Sequence, residues 1–204
     1  MATKPWDSRL AHWLVSPLRG TWVHPNHLTT LGLASGLAAA NLFATGRPAS
    51  MNWGAAVFVL SAIFDHADGE LARMTGKTSS FGHTYDRVAD LIVKMSIFTG
   101  MGVGVRASFG TAGPYLGAAA GLAIIAIFVM RSELARRQGP SALVQPAAGG
   151  FEIEDILYAI APITWFGLLP PFVLAASIGA PAFALWVARG FRARTAEASS
   201  GNRR

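Results

Sequence analysis

Apolar residues run in long stretches along this chain, punctuated by short polar or glycine-proline breaks rather than alternating with charge. Stretches long enough to cross a bilayer as helix, about 20 residues, occupy 27–46, 51–74, 81–105, 112–130, 153–169 and 171–188. The fifth is short, and Pro170-Pro171 separates it from the sixth. Ser, Gly and Pro cluster between Gly139 and Gly150, which predicts a loop. The pattern predicts an all-α fold, an integral membrane bundle of six transmembrane helices over 27–190. A segment 1–26 precedes it, and a basic tail without fixed structure, 191–204, follows.

Within the leading segment, Leu10, Trp13, Leu14 and Leu18 share one helical face. This predicts an N-terminal amphipathic interfacial helix with Arg9, His12 and Arg19 outside, and packing onto the bundle is compatible with it. The first apolar span begins too late and runs too long for a cleavable signal peptide. Gly113, Gly117 and Gly121 recur every fourth residue, a spacing that lets helices approach closely. An internal contact is favoured over a dimer face.

Composition sharpens the membrane reading. Of 204 residues, 52% are apolar and 14% charged, against about 25% charged in soluble domains. The length suits one domain. Cysteine is absent, so thiol and disulfide chemistry are excluded. The net charge is +6, but the basic residues sit at the ends of apolar runs and form no nucleic-acid module. Lys4, Arg9, Arg19, Arg73, Lys77, Arg87, Arg131, Arg136, Arg137 and the arginines of the tail fall on one side of the predicted bundle, and only Arg47 and Arg106 on the other. Both termini are therefore expected to be cytoplasmic.

Four of the six aspartates lie between residues 65 and 90, in or at the ends of apolar spans. Like charges there are unfavourable unless neutralised. Arg73, Arg87 and Lys94 are too few and too spread, whereas carboxylate oxygens suit hard divalent cations. Asp65 and Asp68 are i, i+3 on one helix, and Asp86 and Asp90 are i, i+4 on the next. With a turn centred near Lys77, two antiparallel helices bring them to similar depth, roughly 14–20 Å from the turn. Two facing layers of carboxylates result, the layout of a two-metal clamp for phosphoryl transfer. Gly69 follows Asp68 directly, as a glycine does where a ligand such as a nucleotide diphosphate must approach the backbone. Arg73 stands at the end of the same helix, suited to phosphate. Gly82 opens the facing helix.

The stretch Asp65-His66-Ala67-Asp68-Gly69-Glu70-Leu71-Ala72-Arg73, then Gly82, Asp86 and Asp90, matches all eight fixed positions of the CDP-alcohol phosphotransferase motif at that family's spacing. Pro25-Asn26-His27-Leu28-Thr29 also resembles the lead-in to the family's first span. The resemblance implies that Asp65, Asp68 and Asp86 hold a centre of two divalent metal ions, Mg2+ or Mn2+. Asp90 would lie against the metals and act as base on the acceptor hydroxyl. The nucleotide would sit beside Asp68, Gly69, Ala72, Arg73 and Gly82. It further implies a transferase of phospholipid biosynthesis, a CDP-alcohol donor, an alcohol acceptor, release of CMP, and a homodimer with its site open to the cytoplasm. The expected setting is a bacterial inner membrane.

Other residues are weighed beside these. Thr29 is expected either to bond cytidine or to serve the helix start. His66 and His83 neighbour the carboxylates without the spacing of a metal pair. Lys94, Arg131, Arg136 and Arg137 are candidate acceptor contacts, with an ion pair for Lys94 and orientation at the lipid surface for the arginines as the plainer roles. Glu152, Glu154 and Asp155 put acid where relatives that accept inositol phosphate carry base, and they suit an amine or a helix N-terminus. CDP-diacylglycerol is the favoured donor, and a soluble CDP-headgroup is the alternative. A metal-ion transporter and a scaffold with a decayed site are the readings from other classes.

Overall fold

The computed structural model describes residues 6–138 and 157–201, and the described residues are helical with no strand among them. Helix α1 spans Trp6–Val15, followed by a 3-10 turn, Ser16–Leu18. Helices α2 (Pro25–Ala44), α3 (Pro48–Thr75) and α4 (Ser80–Gly104) carry the motif and its surroundings. A short α5 (Arg106–Phe109) leads to α6 (Ala112–Gln138). After the undescribed stretch come α7 (Ile160–Trp165) and α8 (Leu169–Gly201).

Local chemistry accounts for the helix ends near the motif. Pro25 and Pro48 stand at the first turns of α2 and α3, where a missing N–H is tolerated. The His24 imidazole caps α2 by accepting from Asn26 N at 3.3 Å. Gly76 ends α3 with φ +67°, a left-handed conformation that favours glycine. Ser79 Oγ accepts from Gly82 N at 2.9 Å and starts α4. The α3–α4 turn is thus 76–79, where the sequence places it.

The two motif helices barely touch each other, and α2 is packed along both. The expected face-to-face pair is in fact a three-helix arrangement in which α2 holds α3 and α4 apart. Phe43 of α2, Phe58 of α3 and Ile97, Phe98 and Met101 of α4 form the main core with Ile160, Leu169 and Val173. Glycines permit the close approaches. A Cβ on Gly100 would meet the Ala40 carbonyl, and one on Gly36 would meet the Val93 side chain. Gly117 faces Gly102 of α4, with 2.9 Å between a built Cβ and the opposing Cα, and Gly121 faces Met95 and Phe98. The glycine row of α6 therefore makes an internal contact, as favoured above.

Several boundaries differ from the sequence expectation. Helix α6 continues to Gln138, so Arg131 and Arg136 stand on helix rather than in a loop. The break before the last helix falls at Gly167 (φ +72°), and Pro170 and Pro171 lie in the first turn of α8, where proline is accommodated. Helix α8 runs on to Gly201, so residues 191–201 are helical where a structureless tail is expected. Those residues contain no proline and hold alanine and arginine, which allow a helix already nucleated to propagate. Of the fifth candidate span, 153–156 lie outside the described residues, as do 139–152 with the expected loop and Glu152, and the remainder holds a 3-10 turn at 157–159, the six residues of α7 and the start of α8. Glu154 and Asp155 are likewise outside.

Two helices among the described residues, with spans Ala112–Leu134 and Leu169–Gly190, have the length and apolar composition to cross a membrane. Exposed Trp53, Tyr115, Trp165 and Phe166 lie toward one end of the bundle, and Trp13, Trp22, Phe81 and Trp186 toward the other. Such a distribution is typical of aromatic side chains at two membrane–water interfaces. Helix α1 packs on α3 through buried Ala11 and Val15, leaving Leu10, Trp13 and Leu14 exposed. Its His12 is half-exposed, on the outer side as expected, and also reaches a buried acid, Glu70, at 2.8 Å.

The α4–α6 contact yields a prediction. Gly117→Val should lower stability by about 1–3 kcal/mol through overpacking. Gly190→Ala, where no atom lies within 4 Å of the added carbon, should be neutral or stabilising by up to ~1 kcal/mol. Thermal unfolding in detergent compares them, and equal midpoints would contradict the packing account.

Candidate active site

The wedge formed by α2 leaves a cleft between α3 and α4. A cavity of ≈ 80 Å³ there is lined by Thr29, Asp65, His66, Asp90, Lys94 and Tyr158, among others. Asp65 and Asp90 form its deeper acidic layer, with Asp68 and Asp86 nearer the 76–79 turn. Asp65 lies within electrostatic reach of the other three aspartates and of Lys94. Asp65 and Asp90 thus stand on opposite motif helices across a gap rather than in a direct helix contact.

Protein groups already engage half of the set. Asp68 is buried, and its Oδ2 accepts from Thr29 Oγ1 at 2.5 Å. Thr29 is itself buried, and its hydroxyl donates to Asp68. Lys94 Nζ pairs with Asp90 Oδ1 one helical turn away, and also stands 4.6 Å from the centre of the Phe128 ring. The ion pair is the plainer of the two roles expected for Lys94. Neither Asp65 nor Asp86 accepts a hydrogen bond or contacts a cation among the described residues.

This donor set fits divalent cations in its chemistry: four carboxylates, two of them without a contact partner among the described residues, on largely apolar helices. Their side chains do not converge on a single point. Among the described residues no three acidic, histidine or cysteine groups are gathered as a ready metal cage, because Asp68 is turned to Thr29 and Asp90 to Lys94.

The glycines of the motif divide. A Cβ on Gly69 would meet nothing nearer than the Arg73 guanidinium at 3.5 Å, so protein packing does not require glycine there. Beside it is an open face for a ligand, next to an exposed Arg73 and near Ala72. Gly82 has a packing reason, since an added Cβ would lie 3.0 Å from Ser79 Oγ and 3.1 Å from Asn26 Oδ1. His83 is exposed. The His66 Nδ1 lies 2.9 Å from the Ala62 carbonyl, a structural bond.

The basic residues divide as well. A second cavity, of ≈ 310 Å³ and mostly apolar, lies among α4, α6 and α8, and Lys94 and Leu157 line both cavities. Arg131 also lines the second one. Arg136 is exposed and forked onto Glu133 at 2.8 Å; the side chain of Arg137 lies outside the described set. Sequence reasoning missed Tyr158, whose hydroxyl is 3.5 Å from His66 Nδ1, because nothing in its local pattern marks it. It also passed over Glu70, whose signal was available: a charged residue inside the motif and within an apolar helix.

Comparison with known proteins gives a consistent picture. A family model described as CDP-alcohol phosphatidyltransferase matches residues 22–190. A phosphatidylinositol phosphate synthase of Mycobacteroides abscessus is 32% identical over 95 residues, 46% of this chain and 42% of that protein. The chain thus aligns with less than half the length of that curated relative. The Mycobacterium tuberculosis phosphatidylinositol phosphate synthase with CDP-DAG bound has a TM-score of 0.55 at 23% identity, over 93% of this chain and 92% of that one. The same enzyme in complex with manganese and citrate gives 0.54 at 25% identity, over 93% and 87%.

The ion pair at the cleft can be tested. Lys94→Met leaves Asp90 without its counter-charge and should destabilise by about 3–5 kcal/mol. Adding Asp90→Asn should recover most of that loss, as read from unfolding midpoints in detergent. Additive losses in the double variant would argue against a direct pair.

Proposed function

This chain belongs to the CDP-alcohol phosphatidyltransferase family, and on that premise we propose that it transfers a phosphatidyl group from CDP-diacylglycerol to an acceptor hydroxyl, releasing CMP, in phospholipid biosynthesis. The observation that carries the reading is that Asp65 and Asp90 line one cleft, with Asp86 and Asp68 within electrostatic reach of Asp65. Divalent cations, two in this reading, held by those carboxylates would neutralise charge on the diphosphate as CMP departs. A relative bound to manganese supports a metal of that kind.

The chain's own groups then have defined tasks. The Arg73 guanidinium binds the diphosphate across the open face of Gly69, with Ala72 and Gly82 bordering the nucleotide. Thr29 holds Asp68 in orientation. Lys94 engages Asp90 at Oδ1, and Oδ2 takes the proton from the acceptor hydroxyl. The acceptor oxygen bonds to the β-phosphorus, the bond from that phosphorus to the bridging oxygen breaks, and CMP leaves.

The apolar cavity that shares Lys94 and Leu157 with the cleft supports a substrate that carries hydrocarbon. Lys94 and Arg131 are the basic groups placed for an anionic substrate part, and the likeness to phosphatidylinositol phosphate synthases makes a phosphorylated polyol the first acceptor to test. Arg136 is turned to Glu133 and is a weaker candidate. The same reading places the protein as a multi-pass homodimer with the 76–79 turn facing the cytoplasm, which the one-sided distribution of Lys and Arg supports.

Purified protein with Mn2+ or Mg2+ and labelled CDP-diacylglycerol should release CMP only when an acceptor is offered. Asp90→Asn should lower turnover about 10²–10⁴-fold while donor binding remains measurable. Ala at Asp65, Asp68 or Asp86 should remove metal-dependent donor binding as well. Full activity in Asp90→Asn would remove the base assignment, and ion flux in liposomes without CMP release would favour transport.

A further inference from the structure

The third residue of the Asp68-Gly69-Glu70 run is charged yet only 3% exposed. A buried carboxylate of this kind demands donors on both oxygens, and Glu70 has them from two directions. Its Oε1 accepts from His12 Nδ1 of α1 at 2.8 Å. Its Oε2 accepts from Arg73 Nε at 3.1 Å and from Nη2 at 2.7 Å. The Arg73 side chain is otherwise 63% exposed. One edge of the guanidinium is thereby pinned, and Nη1 stands beside the bare face of Gly69.

The contact from α1 is not a passing surface touch. Val15 of α1 is buried in a cluster with Leu28, Ala67 and Leu71, the last two flanking Gly69 and Glu70 in sequence. The helix is therefore seated on the same turn of α3 that carries the glycine and the arginine. Left unpinned on a helix surface, a long arginine side chain would have to be ordered each time it bound phosphate, giving up rotamer freedom.

We propose that Glu70 and His12 are positioning residues for Arg73. The docked α1 helix, through His12 and Glu70, holds the free edge of the guanidinium toward the diphosphate, so the nucleoside-diphosphate subsite is complete only with α1 in place. The inference rests on the proposed role of Arg73 in binding the CDP-alcohol.

The test is CDP-diacylglycerol binding in detergent micelles with Mn2+, alongside CMP-release kinetics and unfolding midpoints. Wild type, Glu70→Gln, His12→Gln, Arg73→Ala and the two double variants with Arg73→Ala are compared. Glu70→Gln should weaken donor binding about tenfold, equivalent to ~1.4 kcal/mol, and His12→Gln roughly threefold on the same scale. KM for the donor should follow, with kcat within about twofold, a split expected when ground-state binding is lost. In the Arg73→Ala background either change should have almost no further effect, a coupling that mere support of the fold would not produce. Should Glu70→Gln fail to fold, the half-exposed His12 carries the same comparison. Unchanged donor affinity in His12→Gln and Glu70→Gln, or losses of the same size without Arg73, would overturn the proposal. Wild-type protein that binds no CDP-alcohol would refute the functional reading itself, and the positioning role with it.

Discussion

Carboxylates inside an apolar bundle must be met by a donor or a cation, because little water is there to solvate them. Much of the described structure near the motif follows from that requirement. Asp68 is met by Thr29 of α2, Asp90 by Lys94 of its own helix, and Glu70 by His12 of α1 and Arg73. Two helices, α1 and α2, are thereby tied to the acidic stretch of α3 by polar contacts as well as by packing. Asp65 and Asp86 have no such contact partner among the described residues, and only more distant cations act on them.

The second determinant is spacing. Glycines at 36, 100 and 104 admit α2 against α4, and Gly54 brings α3 against the same helix near Ala39 and Phe43. This close packing makes α2 a wedge and keeps α3 and α4 from closing on each other. The cleft that results carries Asp65 and Asp90, and Lys94 and Leu157 line both it and a larger, mostly apolar cavity. One position, Lys94, thus borders both a charge cluster and a hydrocarbon-like cavity, which suits a site where a polar reaction is performed on an amphiphile.

The membrane character rests on the same arrangement seen from outside. Helices α6 and α8 turn apolar surface outward, whereas α2, α3 and α4 carry the polar chemistry inward. Aromatic side chains at both ends bound the apolar band between them. Helix α1 lies at the end where the motif opens, with Leu10, Trp13 and Leu14 exposed and His12 turned to the motif.

By itself the sequence determined the helical class, the place of the α3–α4 turn, the membership of the acidic set and its depth below that turn. These depend on short-range regularities: apolar run length, the glycine at 76 with the serine at 79, and i, i+3 and i, i+4 spacing along single helices. It did not determine what each acid touches. That Thr29 serves Asp68, that a half-exposed His12 reaches Glu70, and that Tyr158 enters the cleft depend on which surfaces meet across 39, 58 and more residues of chain. Such meetings are decided by helix packing over glycine contacts. For the same reason the expected direct pairing of α3 with α4 gave way to a wedge of α2: residue spacing sets how far down a helix a carboxylate lies, and only the packed neighbours set what stands between two of them.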